Sequence, residues 1–267
     1  MKKLIRLLFA LVFPALFLLS SCSEDEGVNI FTLEDDMTLG QQMEEEILAN
    51  PAEYPVMNPN LYQAAYATIE RVRDSLLATG EVNYDNLFTW NVHIIHNDSV
   101  LNAFCTPGGY IYFYTGLIRF LDNEAEFAGV MGHEMAHAAQ RHSTQQMTNA
   151  YGIQLLLSIV LGQNPNALAE IAADLAAGVA SLAFSRDDEY ESDEYSVRYL
   201  YKTSYDARGV AGFFEKIEGS PQPPEFLSTH PNPGNRVEKI NEVWTELGGK
   251  TGETYPERYQ QFKTSLP

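Results

Sequence analysis

Two histidines and a glutamate are spaced so that they could bind a catalytic metal ion. The stretch GVMGHEMAHAAQRH (129–142) contains the pattern H-E-x-x-H. On a helix, residues four apart lie on one face, so His133 and His137 can direct two imidazole nitrogens at one ion. Glu134 lies beside them, where its carboxylate can take a proton from a metal-activated water. This chemistry is hydrolysis of a peptide bond, and the alternative is a pair of ordinary histidines on a surface helix.

A site of this kind needs a third protein ligand, and a later acidic run offers one. An arrangement with a third histidine would require Gly and His where the chain has Gln140 and Ser143. The run SRDDEYESD lies instead within a helix predicted over 167–202, and its Glu189 and Asp193 face one side. Glu189 could complete a set of two histidines and one glutamate, while Asp193 could accept the far ring N–H of a ligand histidine. The alternative is a solvated acidic helix face.

These motifs resemble those of peptidase family M48, a family of zinc metalloendopeptidases. The family pattern S-R-x-x-E-x-x-A-D matches the run that begins at Ser185, with Ser192 where the family usually has Ala. The resemblance covers roughly residues 35–247. It implies a gluzincin-type site with one Zn²⁺ per chain, with Glu134 as general base and acid, Asp193 as an orienting residue, and these ligands: His133, His137 and Glu189.

A second segment, NAFCTPGGYIYFYTGL (102–117), also resembles the family. The resemblance implies an exposed edge strand beside the metal cleft, to which a substrate peptide adds in extended form through main-chain hydrogen bonds. The glycine pair permits a turn and a close backbone approach. By themselves these residues equally fit an ordinary hairpin. The predicted substrate-binding residues are Asn102, Ala103, Phe104, Gly108 and Gly109.

The third segment, LSTHPNPGNRVEKI (227–240), resembles the Thr-His-Pro segment of the family, with an arginine six residues after the histidine. The resemblance implies that His230 and Arg236 lie near the metal and stabilise the oxyanion of the tetrahedral intermediate. Alternatively, His230 could occupy the open position on zinc and keep the enzyme latent. Without the resemblance, this histidine would be interpreted as a local cap or a surface residue.

The sequence pattern around these residues predicts the helices and strands that position them. Together they indicate a mostly helical α+β fold with a small three-stranded sheet beside the active-site cleft. One peptidase domain is predicted over 35–250, followed by a C-terminal tail over 251–267. The strands are predicted at 87–95, 99–105 and 108–116. The helices are predicted at 35–48, 59–78, 123–142, 145–161, 167–202, 207–218 and 232–247.

The first residues predict export and lipid anchoring. A basic start, a short apolar run and a small-residue pair precede Cys22, which is typical of a lipoprotein signal peptide over 1–21 with lipidation of Cys22. An ordinary signal peptide or an uncleaved anchor helix is the alternative. Residues 22–34 would form a flexible acidic tether. The predicted location is the bacterial cell envelope, on the outer membrane, facing either the periplasm or the cell surface.

The charge of the chain argues against two classes of partner. Removal of the signal peptide takes away three basic residues, so the formal net charge falls from −19 to −22. Such acidity opposes binding to nucleic acid or to anionic lipid headgroups. We therefore expect no nucleic-acid partner, and a membrane contact through the lipid anchor alone.

The function predicted from these observations is zinc-dependent endopeptidase activity in quality control. Its expected substrates are unfolded or misassembled proteins of the envelope, an inference that depends on the resemblance and the location. The alternatives are a latent or non-catalytic, chaperone-like metal-binding lipoprotein and a secreted digestive peptidase. Cys105 is interpreted as a small buried side chain, and no role is assigned to His142.

Overall fold

A computed structural model describes residues 29–152, 167–178, 183–218, 225–231 and 234–267. The predicted signal peptide, Cys22 and most of the predicted tether lie outside the described residues, as does much of the helix predicted over 145–161. Within the described ranges, no helix is both long enough and apolar enough to cross a membrane.

Helices account for most of the described residues, and the three predicted strands form one sheet. The helices are α1 (Leu33–Ala49), α2 (Gln63–Leu77), α3 (Thr115–Phe120), α4 (Glu124–Ala139), α5 (His142–Tyr151), α6 (Ala167–Gly178), α7 (Arg186–Tyr201), α8 (Gly209–Glu218), α9 (Phe226–Thr229), α10 (Arg236–Glu246) and α11 (Pro256–Thr264). The strands are β1 (Asn91–Ile95), β2 (Ala103–Thr106) and β3 (Tyr110–Tyr114). The α+β prediction is confirmed.

The sheet is mixed and both of its faces are covered. Its order is β1-β3-β2, with β1 parallel and β2 antiparallel to β3. Alternate side chains point to opposite faces. One face packs on α4, where the rings of Phe113 and Phe127 lie 4.8 Å apart. On the other face, Phe104 and Tyr112 stack and share a cluster with Ile47 of α1 and Ala176 of α6.

Helix α4, which carries the H-E-x-x-H motif, is the central helix of the domain. All of its residues are buried, and it packs against α7 and α8. The helices approach closely because glycines lie at the crossings: a Cβ on Gly129 would lie 2.2 Å from the backbone nitrogen of Val210. Ser196 of α7 donates a 2.7 Å hydrogen bond to the carbonyl of Gly129. The motif is therefore held on a rigid element.

The single helix predicted over 167–202 is wrong, because the chain forms two helices there. Helix α6 ends at Gly178, residues 183–185 are not helical, and α7 begins at Arg186. Ser185 caps α7 by accepting a hydrogen bond from the backbone of Asp188, whose side chain accepts one from the backbone of Ser185. This capping box satisfies free N–H groups at a helix start, and its S-x-x-D pattern was readable in the sequence.

The segment predicted as a C-terminal tail includes α11, whose Tyr259 and Phe262 are buried in the main core. Beside it, Glu124 at the start of α4 lies between Arg71 of α2 and Arg258 of α11. The Glu124 carboxylate accepts hydrogen bonds of 2.6 and 2.9 Å from Arg71 and of 2.5 and 2.8 Å from Arg258. These bonds fasten α2 and α11 to the central helix.

Candidate metal centre

Four side chains from three parts of the chain converge on one point in the core. They are His133 and His137 of α4, Glu189 of α7, and His230 just after α9, and each is fully buried. One potential ligand atom from each lies within 4.8 Å of the others. This burial excludes the interpretation of the histidines as surface residues. The structure thus brings together the three predicted ligands and the histidine predicted beside them.

The spacing of these atoms fits a tetrahedral zinc ion. The Nε2 atom of His133 lies 3.0 Å from Nε2 of His137 and 3.2 Å from Nδ1 of His230. Oε1 of Glu189 lies 3.4 Å from Nε2 of His137 and 3.0 Å from Nδ1 of His230. Zinc–nitrogen bonds of about 2.0–2.1 Å place tetrahedral ligand atoms about 3.3 Å apart. The donor set, three imidazoles and a carboxylate, is also one that zinc prefers.

Glu134 lies beside the cluster with a carboxylate that has unused hydrogen-bonding capacity. Neither of its oxygens has a hydrogen-bond partner among the described residues, although both are buried. Its Oε1 lies 3.6 Å from Nε2 of His230. Burial raises the pKa of Glu134, and the nearby His230 and His133 only partly oppose this rise. A buried polar group normally has a partner, so this carboxylate is available to a ligand of the site.

Asp193 and Arg236 form a charged layer behind the ligands. Oδ1 of Asp193 lies 2.9 Å from Nδ1 of His133, which is the contact expected of an orienting carboxylate. Arg236 donates to both oxygens of Asp193, each at 2.7 Å, and its Nη1 lies 2.6 Å from Oε2 of Glu189. The guanidinium also lies 3.8 Å above the ring of Phe214. Arg236 is therefore fully buried in contacts with two carboxylates, and its role as an oxyanion stabiliser stays a prediction.

The pKa values within the cluster follow from burial and from its carboxylates. Burial lowers the pKa of His137 well below its usual value, which favours the neutral, metal-binding form. Burial also tends to raise the pKa of Glu189, but the charges of His230 and Arg236 outweigh it, so the pKa falls well below its ordinary value. Both shifts leave lone pairs directed at the centre of the cluster.

Comparison with known proteins identifies the family. Peptidase family M48 matches residues 63–243, which is more than half of the chain. The chain belongs to this family. It is 33% identical over 157 residues to the β-barrel assembly-enhancing protease of Escherichia coli (strain K12), covering 54% of this chain and 32% of that protein. It is also 33% identical over 154 residues to the mitochondrial metalloendopeptidase OMA1 of Arabidopsis thaliana, covering 57% and 31%.

A human relative, mitochondrial metalloendopeptidase OMA1, is 27% identical over 199 residues, covering 67% of this chain and 37% of that protein. The chain thus spans about a third of the length of these curated relatives. Membership of family M48, together with the buried cluster, confirms the prediction of a metalloendopeptidase domain with zinc as its cofactor.

The predicted substrate strand of this M48 domain is an edge strand but is not exposed. All four residues of β2 are buried, and so is Asn102 before it. The glycine turn packs closely on other parts of the chain: a Cβ on Gly108 would lie 3.1 Å from the carbonyl oxygen of Asp36, and one on Gly109 would lie 3.1 Å from the Trp90 ring. Both have positive φ, so the pair serves the turn itself. The strand is covered because α1 and α6 pack over the sheet.

An apolar cavity lies between β2 and the metal centre of the M48 domain. It is lined by Phe104, Met147, Leu175, Phe184 and His230, among other residues. The ring of Phe184 stacks on His137, with centroids 3.9 Å apart. This cavity is therefore continuous with the candidate catalytic site.

Two further side chains, Cys105 and His142, lie near the centre, and the sequence predicted the environment of only the first. Cys105 is a free, buried cysteine, and burial raises the pKa of its thiol well above the usual value, which confirms its interpretation as a small buried side chain. His142, to which no role was assigned, places its Nδ1 atom 2.9 Å from Nδ1 of His137. The H-E-x-x-H pattern gives no information about this second contact.

Proposed function

We propose that the protein is a zinc-dependent endopeptidase of the bacterial cell envelope that acts on unfolded or misassembled proteins. The observation that carries this proposal is the buried cluster of His133, His137, Glu189 and His230 with the unpartnered Glu134 carboxylate beside it. In this proposal the first three residues are the permanent zinc ligands. Glu134 is the general base and acid.

When bound, zinc would polarise a peptide carbonyl and lower the pKa of water near it. The chain itself supplies the proton transfers and the alignment. Glu134 accepts a proton from the attacking water on its buried carboxylate and then passes it to the amine that leaves. Asp193 keeps the proton of His133 on Nδ1, so that Nε2 presents its lone pair to the metal. Arg236 fixes Asp193 and Glu189 relative to each other.

The substrate class is inferred from the cavity and from the bacterial relatives. An apolar cavity beside His230 suits an apolar side chain of the substrate, and unfolded proteins expose such side chains. The bacterial relatives are named for enhancing β-barrel assembly, which supports substrates that have failed to assemble. Substrate main chain would pair with the edge of β2 and engage Asn102, Ala103 and Phe104 after the covering helices move.

In the proposed resting state the site is closed. Nδ1 of His230 lies 3.2 Å from Nε2 of His133 and would be a fourth ligand of the zinc ion. Its ring is held by stacking on Phe226, with centroids 4.1 Å apart. If His230 leaves this position when substrate enters, its imidazole can stabilise the oxyanion. In the rival function, a latent or non-catalytic chaperone-like protein, His230 stays in the cluster and the site remains closed.

The envelope location is proposed from the first 22 residues, with a lipid on Cys22 as the anchor. The mass of the protein purified from membranes tests this proposal. A mature chain that begins at an acylated Cys22 is the expected result. An unmodified chain cut elsewhere would refute the lipid anchor.

The test of activity is cleavage of an unfolded protein by the purified protein and by Glu134→Gln at equal zinc content. We expect the variant to lose about 10²–10⁴-fold in rate, whereas Glu70→Gln, the same change at an exposed position, should leave the rate unchanged. If neither protein cuts while both hold zinc, His230→Ala decides between the alternatives. Even slow cleavage by His230→Ala supports a latent protease, because the variant opens the site although it loses the proposed oxyanion residue; no cleavage at all supports a binding protein.

A further inference from the structure

The two candidate ligand histidines on α4 have different partners on their outward ring nitrogens. For His133 that partner is the Asp193 carboxylate, at 2.9 Å. For His137 it is the imidazole of His142, also at 2.9 Å, from Nδ1 to Nδ1. His142 continues the contact, since its Nε2 lies 3.1 Å from Oε2 of Glu191 on α7. A ligand histidine normally donates its second N–H to an acceptor that fixes its orientation.

We propose that His142 is the positioning residue for His137, and that Glu191 and Ser192 set the hydrogen-bonding state of His142. The proposal rests on the proposed role of His137 as a zinc ligand. The proton positions follow from that role. If Nε2 of His137 gives its lone pair to the metal, its proton is on Nδ1, so Nδ1 of His142 must accept and the proton of His142 is on Nε2. That N–H then points at Glu191.

The turn between α4 and α5 is built to hold His142 in this place. Arg141 adopts the left-handed conformation, with φ of 63°. This conformation is uncommon for a residue with a side chain. The side chain of Arg141 binds Asp36 of α1, with its Nε and Nη2 atoms 2.5 and 3.1 Å from the carboxylate oxygens. The reversal of the chain places His142 at the start of α5, under the ring of His137, where its side chain is 1% exposed.

Ser192 contributes a contact that the usual family residue at its position cannot make. The motif that resembles family M48 normally has Ala there, whereas the buried hydroxyl of Ser192 lies 3.3 Å from Nδ1 of His142. Nδ1 of His142 has one lone pair, so a hydroxyl that donates to it shares that lone pair with the N–H of His137 in a bifurcated hydrogen bond. The hydroxyl therefore favours the form of His142 whose Nδ1 is an acceptor. Ser192 and Glu191 are adjacent on α7 and hold the two ring nitrogens of His142.

The experiment measures zinc affinity by competition with a chelator, and the absorption spectrum after cobalt replaces zinc. His142→Leu removes the acceptor, and we expect zinc affinity to fall about 10–100-fold and the cobalt bands to shift. His142→Asn keeps an acceptor near Nδ1 and should recover most of the affinity. His96→Asn, at an exposed histidine, should change neither property. Glu191→Gln, at an exposed position, should lower zinc affinity by a few-fold.

The outcomes separate this proposal from the proposed function. If the wild type fails to bind one zinc, or if His137→Ala binds zinc as tightly as the wild type does, the ligand assignment itself fails. If the wild type binds zinc and His142→Leu keeps affinity within about threefold, the positioning role is overturned. If His142→Asn loses as much affinity as His142→Leu, His142 is a packing residue and the proposal is also overturned. Should His142→Leu not fold, the Asn and Glu191→Gln variants decide.

Discussion

Arg236 offers the sharpest test of how the metal centre is supported. Its side chain is fully buried, and three contacts of 2.6 to 2.7 Å join it to Glu189 and Asp193. Removing one partner from a buried charge network costs about 3–5 kcal/mol, because the remaining charges stay buried without compensation. Arg236→Met keeps the length of the side chain over Phe214 but removes the charge, so we expect a loss of this size.

Thermal unfolding and zinc titration measure this loss. For a protein of this length each kcal/mol lowers the Tm by about 2–4 °C, so the Tm of Arg236→Met should fall by roughly 10 °C. Zinc affinity should fall about 10–100-fold, because Asp193 and Glu189 lose their alignment. Arg198→Met is the matched control: its pair with Glu194 is exposed, and we expect a change below about 1 kcal/mol.

One result would refute this reasoning. If Arg236→Met has the Tm and the zinc affinity of the Arg198→Met control, the buried guanidinium does not hold the two carboxylates. A large fall in Tm with unchanged zinc affinity would mean that Arg236 stabilises the fold but does not align the ligands. The two measurements therefore separate stability from support of the site.

Three other predictions concern the framework. Glu124→Gln should lower the Tm at pH 7 and make the Tm less sensitive to acid. Burial alone would raise the Glu124 pKa, but Arg71 and Arg258 outweigh burial, so the pKa is lowered in the folded protein. The carboxylate therefore contributes stability above its usual pKa, and this stability is lost as the pH falls through the pKa of the folded state. Gly129→Ala should cost about 3 kcal/mol or more by denaturant unfolding, because its Cβ would lie 2.2 Å from Val210 nitrogen. Phe262→Ala should cost about 3–5 kcal/mol by the same assay, and an unchanged midpoint would mean that α11 is dispensable.

The convergence of the candidate ligand residues could be predicted because helix geometry turns sequence spacing into spatial proximity. His133 and His137 are one turn apart, and so are Glu189 and Asp193, so two short motifs were enough. The strands were also predictable, from their β-branched and aromatic residues and the glycine turn. These signals are local, and each was complete within a few residues of the chain.

What could not be predicted depends on contacts between distant segments. His142 meets Glu191 across 49 positions, and nothing near either residue indicates the other. Strand β2 is likewise buried by α1 and α6, which are distant from it in the sequence, so its own residues do not indicate this cover. Two features were missed although local signals existed: the capping box at Ser185, and the proline that begins α11 at Pro256.

The supports of the metal centre come late in the chain, and this order has a consequence for synthesis. The H-E-x-x-H helix and Glu189 leave the ribosome first, whereas His230 follows His133 by 97 positions and Arg236 by 103. Arg258, which fastens Glu124, comes later still. A nascent chain therefore carries every proposed zinc ligand of the catalytic set, with Asp193 and His142, before it has Arg236, which contacts Glu189 and Asp193 in the folded domain. Under the proposed function, we therefore expect hydrolytic activity to appear only after Arg236 and Arg258 have been translated and the domain has folded.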